Sequence, residues 1–472
     1  MIVLRQAELF HFPLKLRMPF RYGIATLTDL PHAVVRLTFE IDGKLHSGLA
    51  ADNLPPKWFT KDASRDTTEE IAEIFAVMRA AIRHAREVKC DTPFAFWRET
   101  YKRQMDWAKS QARPIPPLLA NFGTTFVERA LIDAVCKLRG TTLSAALRDN
   151  TLGLDLGALH SGLIGTTPGD WLSKPEDSTF SRHTVGLSDS LDGSDLAPAD
   201  RVNDGLPQTL VDCIRFYGLR HFKIKINGDA ARDRARLEGM AAIFARECGD
   251  DYAFTLDGNE SFREVGAFAD TVRSLMAVPS LKSFWPRLLF IEQPWHRDVA
   301  LSPAIGDLSR AWPERPPIVI DESDAEIDST ARALALGYAG TTHKNCKGVF
   351  KSAANACLLA QRRKQGLPAV LSGEDLTNVG PIGLTQDMAA AVALGVTTIE
   401  RNGHHYFAGL SQFPQAMQAH ALKHHGDLFI ASPQGWPRVD VRQGRVSLAS
   451  TNRAPFGIAG EVDMSELTPE VV

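Results

Sequence analysis

Apolar residues along this chain follow two rhythms, and one gives way to the other near residue 180. In the first part, HAVVRLTFE (32–40) has the β-branched and aromatic content of a strand, and Asp42-Gly43 supplies a hairpin turn before LHSGLAA. Ile71, Ile74, Phe75, Met78 and Ile82 then recur at helical spacing, behind a Thr67–Glu70 pair with capping-box separation. TTFVERALIDAVCKL (124–138) predicts a further amphipathic helix, stopped near Gly140. Residues 151–181 are rich in Gly, Thr, Ser, Pro and Asp and read as a connection or insertion.

From about residue 182 the pattern becomes short apolar runs alternating with helical stretches such as ARDRARLEGMAAIFAREC and SAANACLLAQRRKQ. HTVGL (183–187) is the first run. Seven more end on Lys225, Asp257, Glu292, Asp321, Lys344, Glu374 and Glu400, with gaps of 32, 35, 29, 23, 30 and 26 residues. One strand, loop and helix of a (β/α)8 barrel take about 30 residues, so eight such units predict a closed parallel barrel. The fold class expected is α/β, a TIM-like barrel with an α+β N-terminal capping domain completed by the C-terminal segment. The expected divisions are 1–150 (capping domain), 151–181 (connection), 182–435 (barrel) and 436–472, where RVDVRQGRVSLAS suits a segment rejoining the N-terminal domain.

Strand C-termini of such a barrel open onto one face, which gathers the terminal charged residues around one pocket. Asp257, Glu292 and Asp321 on consecutive strands are oxygen ligands suited to a hard cation such as Mg2+. One acid after a strand is as well explained as a helix cap, but three in register are not. No His-x-His or Cys cluster in the sequence suggests a softer, zinc-type site. Lys223 and Lys225, two apart, point the same way, and two ammonium groups inside a barrel are costly unless they face the pocket. Each should depress the other's pKa. Lys344 approaches from the opposite side, its neighbour His343 points into the barrel wall, and Lys347 and Lys351 fall where solvated side chains are the default. A cation bound to a substrate carboxylate makes the α-proton more acidic, and lysines on opposite faces then serve as base and conjugate acid.

KIK, LDGNE, FIEQP, IDES and a lysine on the sixth strand together resemble the enolase superfamily, in its mandelate racemase/muconate lactonizing enzyme family and closest to the muconate-lactonizing-enzyme-like branch. MPFRYGIATLTDLPHAVVRLTF is similar to the start of that family's capping domain, and ALIDAVCKLRG to the helix leading out of it. The resemblance implies Asp257, Glu292 and Asp321 as metal ligands, Asn259 near the metal, Lys225 and Lys344 as the acid/base pair, and Lys223 tuning Lys225 or meeting the substrate carboxylate. It implies Mg2+, with Mn2+ as the substitute, and α-proton abstraction through an enediolate by a racemase, epimerase or cycloisomerase. Acid-sugar dehydration is the alternative within the superfamily, but it uses a His on strand seven, where this chain has Ser372, Glu374 and Asp375. A non-catalytic barrel acting as a binding or assembly module is the alternative outside it.

The chain also departs from the family pattern. NCKGVFKS follows Lys344 where a double glycine is usual, and IERNGHHYF lacks the Asp-x-Asp of dipeptide epimerases. Arg401, His404 and His405 there read either as contacts to a polar group of the substrate or as an ordinary polar loop. Phe20, Tyr22 and Trp58 read as pocket wall from the cap or as domain packing.

Composition narrows the partners. Net charge is −3, with 53 basic and 56 acidic residues intermixed, so neither nucleic acid nor an anionic membrane is expected. The N-terminus is interrupted by Arg5, Glu8, Lys15 and Arg17 and lacks a signal-peptide stretch, and no apolar run approaches a membrane span. Six scattered cysteines suit a reduced, cytoplasmic setting. A small carboxylate substrate is the expected partner, and the resemblance adds a symmetric homo-oligomer.

Overall fold

The computed structural model describes residues 1–22 and 24–472. The N-terminal part is an antiparallel meander of β1 (Ile2–Tyr22), β2 (Ala25–Ile41) and β3 (Lys44–Asn53). Asp42 (φ 53°) and Gly43 (φ 79°) make the tight turn that the sequence signals. β1 is longer than its pattern suggests because register shifts at Leu4/Gln6 and Lys15/Phe20 break the strict alternation. The charges that interrupt it pair across the strands: Arg5 with Glu40 at 2.7 Å and Glu8 with Arg36 at 2.6 Å.

Three helices cover this sheet: α1 (Thr67–Arg86), α2 (Pro93–Ser110) and α3 (Pro117–Arg139). The cap of α1 is Asp66, which accepts from the Thr68 and Glu69 amides, and not the Thr67 box. Glu70 turns back instead to the Lys57 amide at 2.8 Å. Nearly every residue of α3 is buried, and it ends at Gly140 in the left-handed conformation (φ 60°). Any Cβ at Gly48 would collide with the α3 backbone at Ala130, so the sheet and α3 touch main chain to main chain. Burying Phe39 or Leu131, each fully enclosed here, contributes about 2 kcal/mol.

Eight parallel strands form the barrel: β4 (Ser178–Val185), β5 (His221–Lys225), β6 (Ala253–Asp257), β7 (Leu288–Glu292), β8 (Ile318–Ile320), β9 (Gly340–His343), β10 (Val370–Gly373) and β11 (Thr398–Arg401). β11 pairs with β4 and closes the ring. Alternation sorts their side chains. Phe222 and Phe254 point outward, stacking on Phe244 and Phe284 at 4.2 and 3.9 Å. The intervening Lys223 and Asp257 point inward. β4 begins five residues before HTVGL because its opening, STFSR, carries no apolar signature.

The last segment divides its attachments. β12 (Phe429–Ala431) and β13 (Pro437–Val439) form a separate pair, and β14 (Arg445–Ser447) adds antiparallel to β4 on the barrel. Within RVDVRQGRVSLAS, β13 thus pairs with β12 and β14 with the barrel wall, and neither joins the N-terminal sheet as the composition predicts. Only β15 (Glu470–Val471) reaches the N-terminal sheet, pairing with β1. Among the described residues no helix is long and apolar enough to cross a membrane.

Candidate active site

One pocket opens at the C-terminal ends of the barrel strands, between the barrel and the cap. Lys223, Lys225, Asp257, Asn259, Asp321 and Lys344 line it from below, and Phe20, Tyr22, Leu27 and Trp58 from above. Lys223 is the hub of the floor. Its ammonium lies 2.8 Å from Glu292 Oε2, 2.9 Å from Glu374 Oε2, 2.9 Å from Glu400 Oε2 and 3.0 Å from Asp257 Oδ2. Lys225 contacts Asp257 Oδ2 at 2.5 Å. On the far side Lys344 meets Asp321 Oδ2 at 2.7 Å and Glu374 Oε2 at 3.3 Å, with its ammonium 4.6 Å from the centre of the Trp58 ring.

Burial alone would neutralise these groups, and each other's charge prevents it. Burial opposes the Lys223 and Lys344 ammonium groups, yet the carboxylates around them hold both pKa values well above the usual lysine range. The depression predicted for Lys223 from KIK is therefore reversed, because carboxylates outnumber the lysines around it. Asp321 is likewise opposed by burial but held well below the carboxylate range by Lys344, Lys347 and Lys223. Glu292 goes the other way, raised by burial and by the nearby Asp257 and Glu374 charges.

Oxygens of Glu292, Asp321 and Glu374 all lie within 4.8 Å of one another. Asp257, predicted as a ligand, stands beside this group and not in it, because Lys225 and Lys223 hold its Oδ2 and the Asn259 amide holds its Oδ1 at 2.7 Å. Asn259 sits at φ 43°, with its Oδ1 buried and without a hydrogen-bond partner among the described residues. Clustered carboxylates that raise Glu292 and an orphaned amide oxygen beside them are hard donors in surplus. They fit a divalent cation such as Mg2+.

Asp321 lines the pocket, whereas Glu322 faces away beside Arg297 and Ser323, its pKa pushed up to about 7 by burial and Asp321. Tyr22 reaches the pocket, but its hydroxyl donates to Pro56 O at 2.7 Å. Arg401 turns to Asp375 and the Asn378 carbonyl. His404 and His405 are buried beside His183 and Cys213. His343 is buried, with neither ring nitrogen hydrogen-bonded among the described residues.

Lys347 and Lys351 are not solvated as their loop position predicts. Lys347 is fully buried, 2.6 Å from Asp321 Oδ1, and Lys351 donates to Asp324 O at 2.6 Å. The cap explains this: Asn121 and Glu128 of α3 bond Lys347 O and the Phe350 amide and seal the segment. Arg182 was also missed. It lies beneath the floor, donating to Ser372 Oγ at 2.7 Å and pairing with Glu374 at 3.3 Å. Its place two residues before Thr184, on an inward-facing register, was the available signal.

No protein-family model and no curated protein sequence matches the chain. Solved structures do. A dipeptide epimerase from Cytophaga hutchinsonii, complexed with Mg and the dipeptide D-Ala-L-Val, matches with TM-score 0.59 at 15% identity, over 99% of this chain and 99% of that one. A muconate lactonizing enzyme from Pseudomonas fluorescens, complexed with muconolactone, matches with TM-score 0.59 at 17% identity, over 98% and 97%. An N-succinyl Arg/Lys racemase from Bacillus cereus ATCC 14579 matches with TM-score 0.59 at 13% identity, over 100% of both chains. The chain has the capped-barrel fold of enolase-superfamily enzymes.

Proposed function

We propose that the chain is an enzyme of the mandelate racemase/muconate lactonizing enzyme family that abstracts the α-proton of a small carboxylate substrate, with racemisation or epimerisation as its outcome. One observation carries this reading. Lys225 on β5 and Lys344 after β9 reach the same pocket from strands four places apart around the ring, over a shared floor of carboxylates. A carbon held between them would lose a proton to one amine and regain it from the other on the opposite face. Mg2+ bound there would neutralise the substrate carboxylate and stabilise the charge that develops on its oxygens. We assign Glu292 and Asp321 to hold that ion, together with the flanking Asp257 or Glu374. Lys223, locked among carboxylates, keeps the floor in register. Phe20, Tyr22, Leu27 and Trp58 close the pocket from the cap and exclude water from the exchanging proton. The dehydratase alternative lacks its histidine, since β10 and the loop after it supply Ser372, Glu374 and Asp375.

Proton NMR in D2O with Mg2+, over N-acyl amino acids, dipeptides, aryl-substituted acids and sugar acids, tests this. Metal-dependent loss of an α-proton signal is expected, stopped by Lys225→Ala for the stereoisomer whose proton faces Lys225. No exchange by a chain shown to bind Mg2+, across the whole panel, would remove the reading in favour of a binding module.

A further inference from the structure

A second cluster of ligating side chains lies outside the barrel, at the seam where the ring closes. β4 and β11 pair up to Arg401 opposite His183. Arg182 and Thr184 turn inward to Glu374 and Glu400. Alternation therefore sends His183 outward. There it meets Cys213, from the helix Leu210–Tyr217, and His405, from the short helix Gly403–Tyr406 that follows β11. A ligand atom from each of the three lies within 4.8 Å of the others, and all three residues are buried.

The spacing suits one small ion. Cys213 Sγ and His405 Nδ1 are 3.5 Å apart. Bonds of about 2.3 Å to sulfur and about 2.0 Å to nitrogen place tetrahedral donors about 3.5 Å apart. His404 Nε2 lies 3.0 Å from His183 Nδ1 and fixes the orientation of that ring. The surroundings match a ligating imidazole too. With Nδ1 toward the sulfur, His405 turns Nε2 toward Asp189 Oδ2 at 3.9 Å. Asp189 is itself held by the Gly186 amide and the Tyr406 hydroxyl, each at 2.7 Å. A carboxylate on the far nitrogen is the usual way a metal-bound histidine is oriented.

We propose that His183, Cys213 and His405 form a structural site for a borderline-soft divalent cation, zinc being the best match, that clips the first and last barrel strands together. Nitrogen and sulfur donors separate it from the oxygen floor of the pocket, which suits Mg2+. Binding would replace the Cys213 thiol proton with the metal. The clip also bears on the pocket. Tyr406, next to His405, packs on Phe20 at 4.3 Å, and Arg17 donates to His405 O at 2.7 Å, so the seam carries the β1 segment that covers the substrate.

Zinc analysis of the full chain, produced with zinc and dialysed against EDTA, tests the proposal. About one zinc per chain is expected, kept by Asp321→Asn and lost from Cys213→Ser and His405→Gln. Cobalt in place of zinc should give a sulfur-to-cobalt charge-transfer band that Cys213→Ser removes. A folded chain that holds no zinc and shows no such band overturns the site, and so does zinc retained by both variants. Should Cys213→Ser fail to fold, His405→Gln and the cobalt spectrum of the unaltered chain decide.

Discussion

The barrel mouth and the barrel seam are both buried clusters of titratable groups, built in opposite ways. At the mouth lysines and carboxylates are packed against one another: Lys223 alone touches four carboxylates, and Asp321 is shared between Lys344 and Lys347. At the seam charge is removed, and His183, His405 and Cys213 sit together as neutral rings and a thiol. Ion pairs taken out of water are tolerated only when fully matched, so the mouth is a lattice in which each member depends on the rest. Neutral donors need no matching and stay available to a softer ion. The same eight strands thus hold hard oxygen donors inside the ring and soft donors outside it, separated by one step of strand alternation.

Lys225→Ala should break the mouth functionally with the largest effect, slowing α-proton exchange of the stereoisomer that faces Lys225 by about 10^4-fold while leaving the seam's zinc in place. Equal loss of both would mean that the two regions fold as one unit. Lys223→Met should break the mouth structurally. It strands four carboxylates, and urea denaturation without metal should show a loss of about 3–5 kcal/mol. An unchanged midpoint would show that the lattice is not cooperative.

Glu128 sharpens the contrast because it is buried at the cap–barrel interface with no ion pair among the described residues, its pKa pushed up to about 7 by burial. The folded chain binds that proton more tightly than the unfolded one. Its contribution is therefore complete below the ordinary carboxylate value and lost as pH rises through about 7, a swing of about 3 kcal/mol. Glu128→Gln should flatten that part of the stability–pH curve. A wild-type-minus-variant difference that stays constant with pH would contradict it. Smallest in free energy, Asp321→Asn should weaken Mg2+ binding by at least about 100-fold, measured calorimetrically. Unchanged affinity would move the ion away from Asp321.

How legible each region is in the sequence follows from its geometry. The mouth is written at strand ends, so a spacing near 30 residues reveals Lys225, Asp257, Glu292, Asp321 and Lys344 together. Its deeper members are less visible. Lys347 lies in a loop that only α3 makes into an interior, and the approach of Glu374 to Glu292 and Asp321 depends on how the strands close. The seam leaves no linear mark, because His183, Cys213 and His405 come from a strand and two separate helices that meet only when the barrel closes. β1 was hidden for a local reason, its bulges disrupting the period-2 pattern. β14 was misassigned because alternation cannot say which sheet a strand joins.

Exchange by Lys344→Ala, followed separately for each stereoisomer of the responsive substrate in D2O, tests the central claim most directly. Two lysines on opposite faces predict that one stereoisomer keeps exchanging its α-proton while the other stops. Undiminished exchange of both would show that Lys344 is not the second acid/base group and would contradict the two-face account.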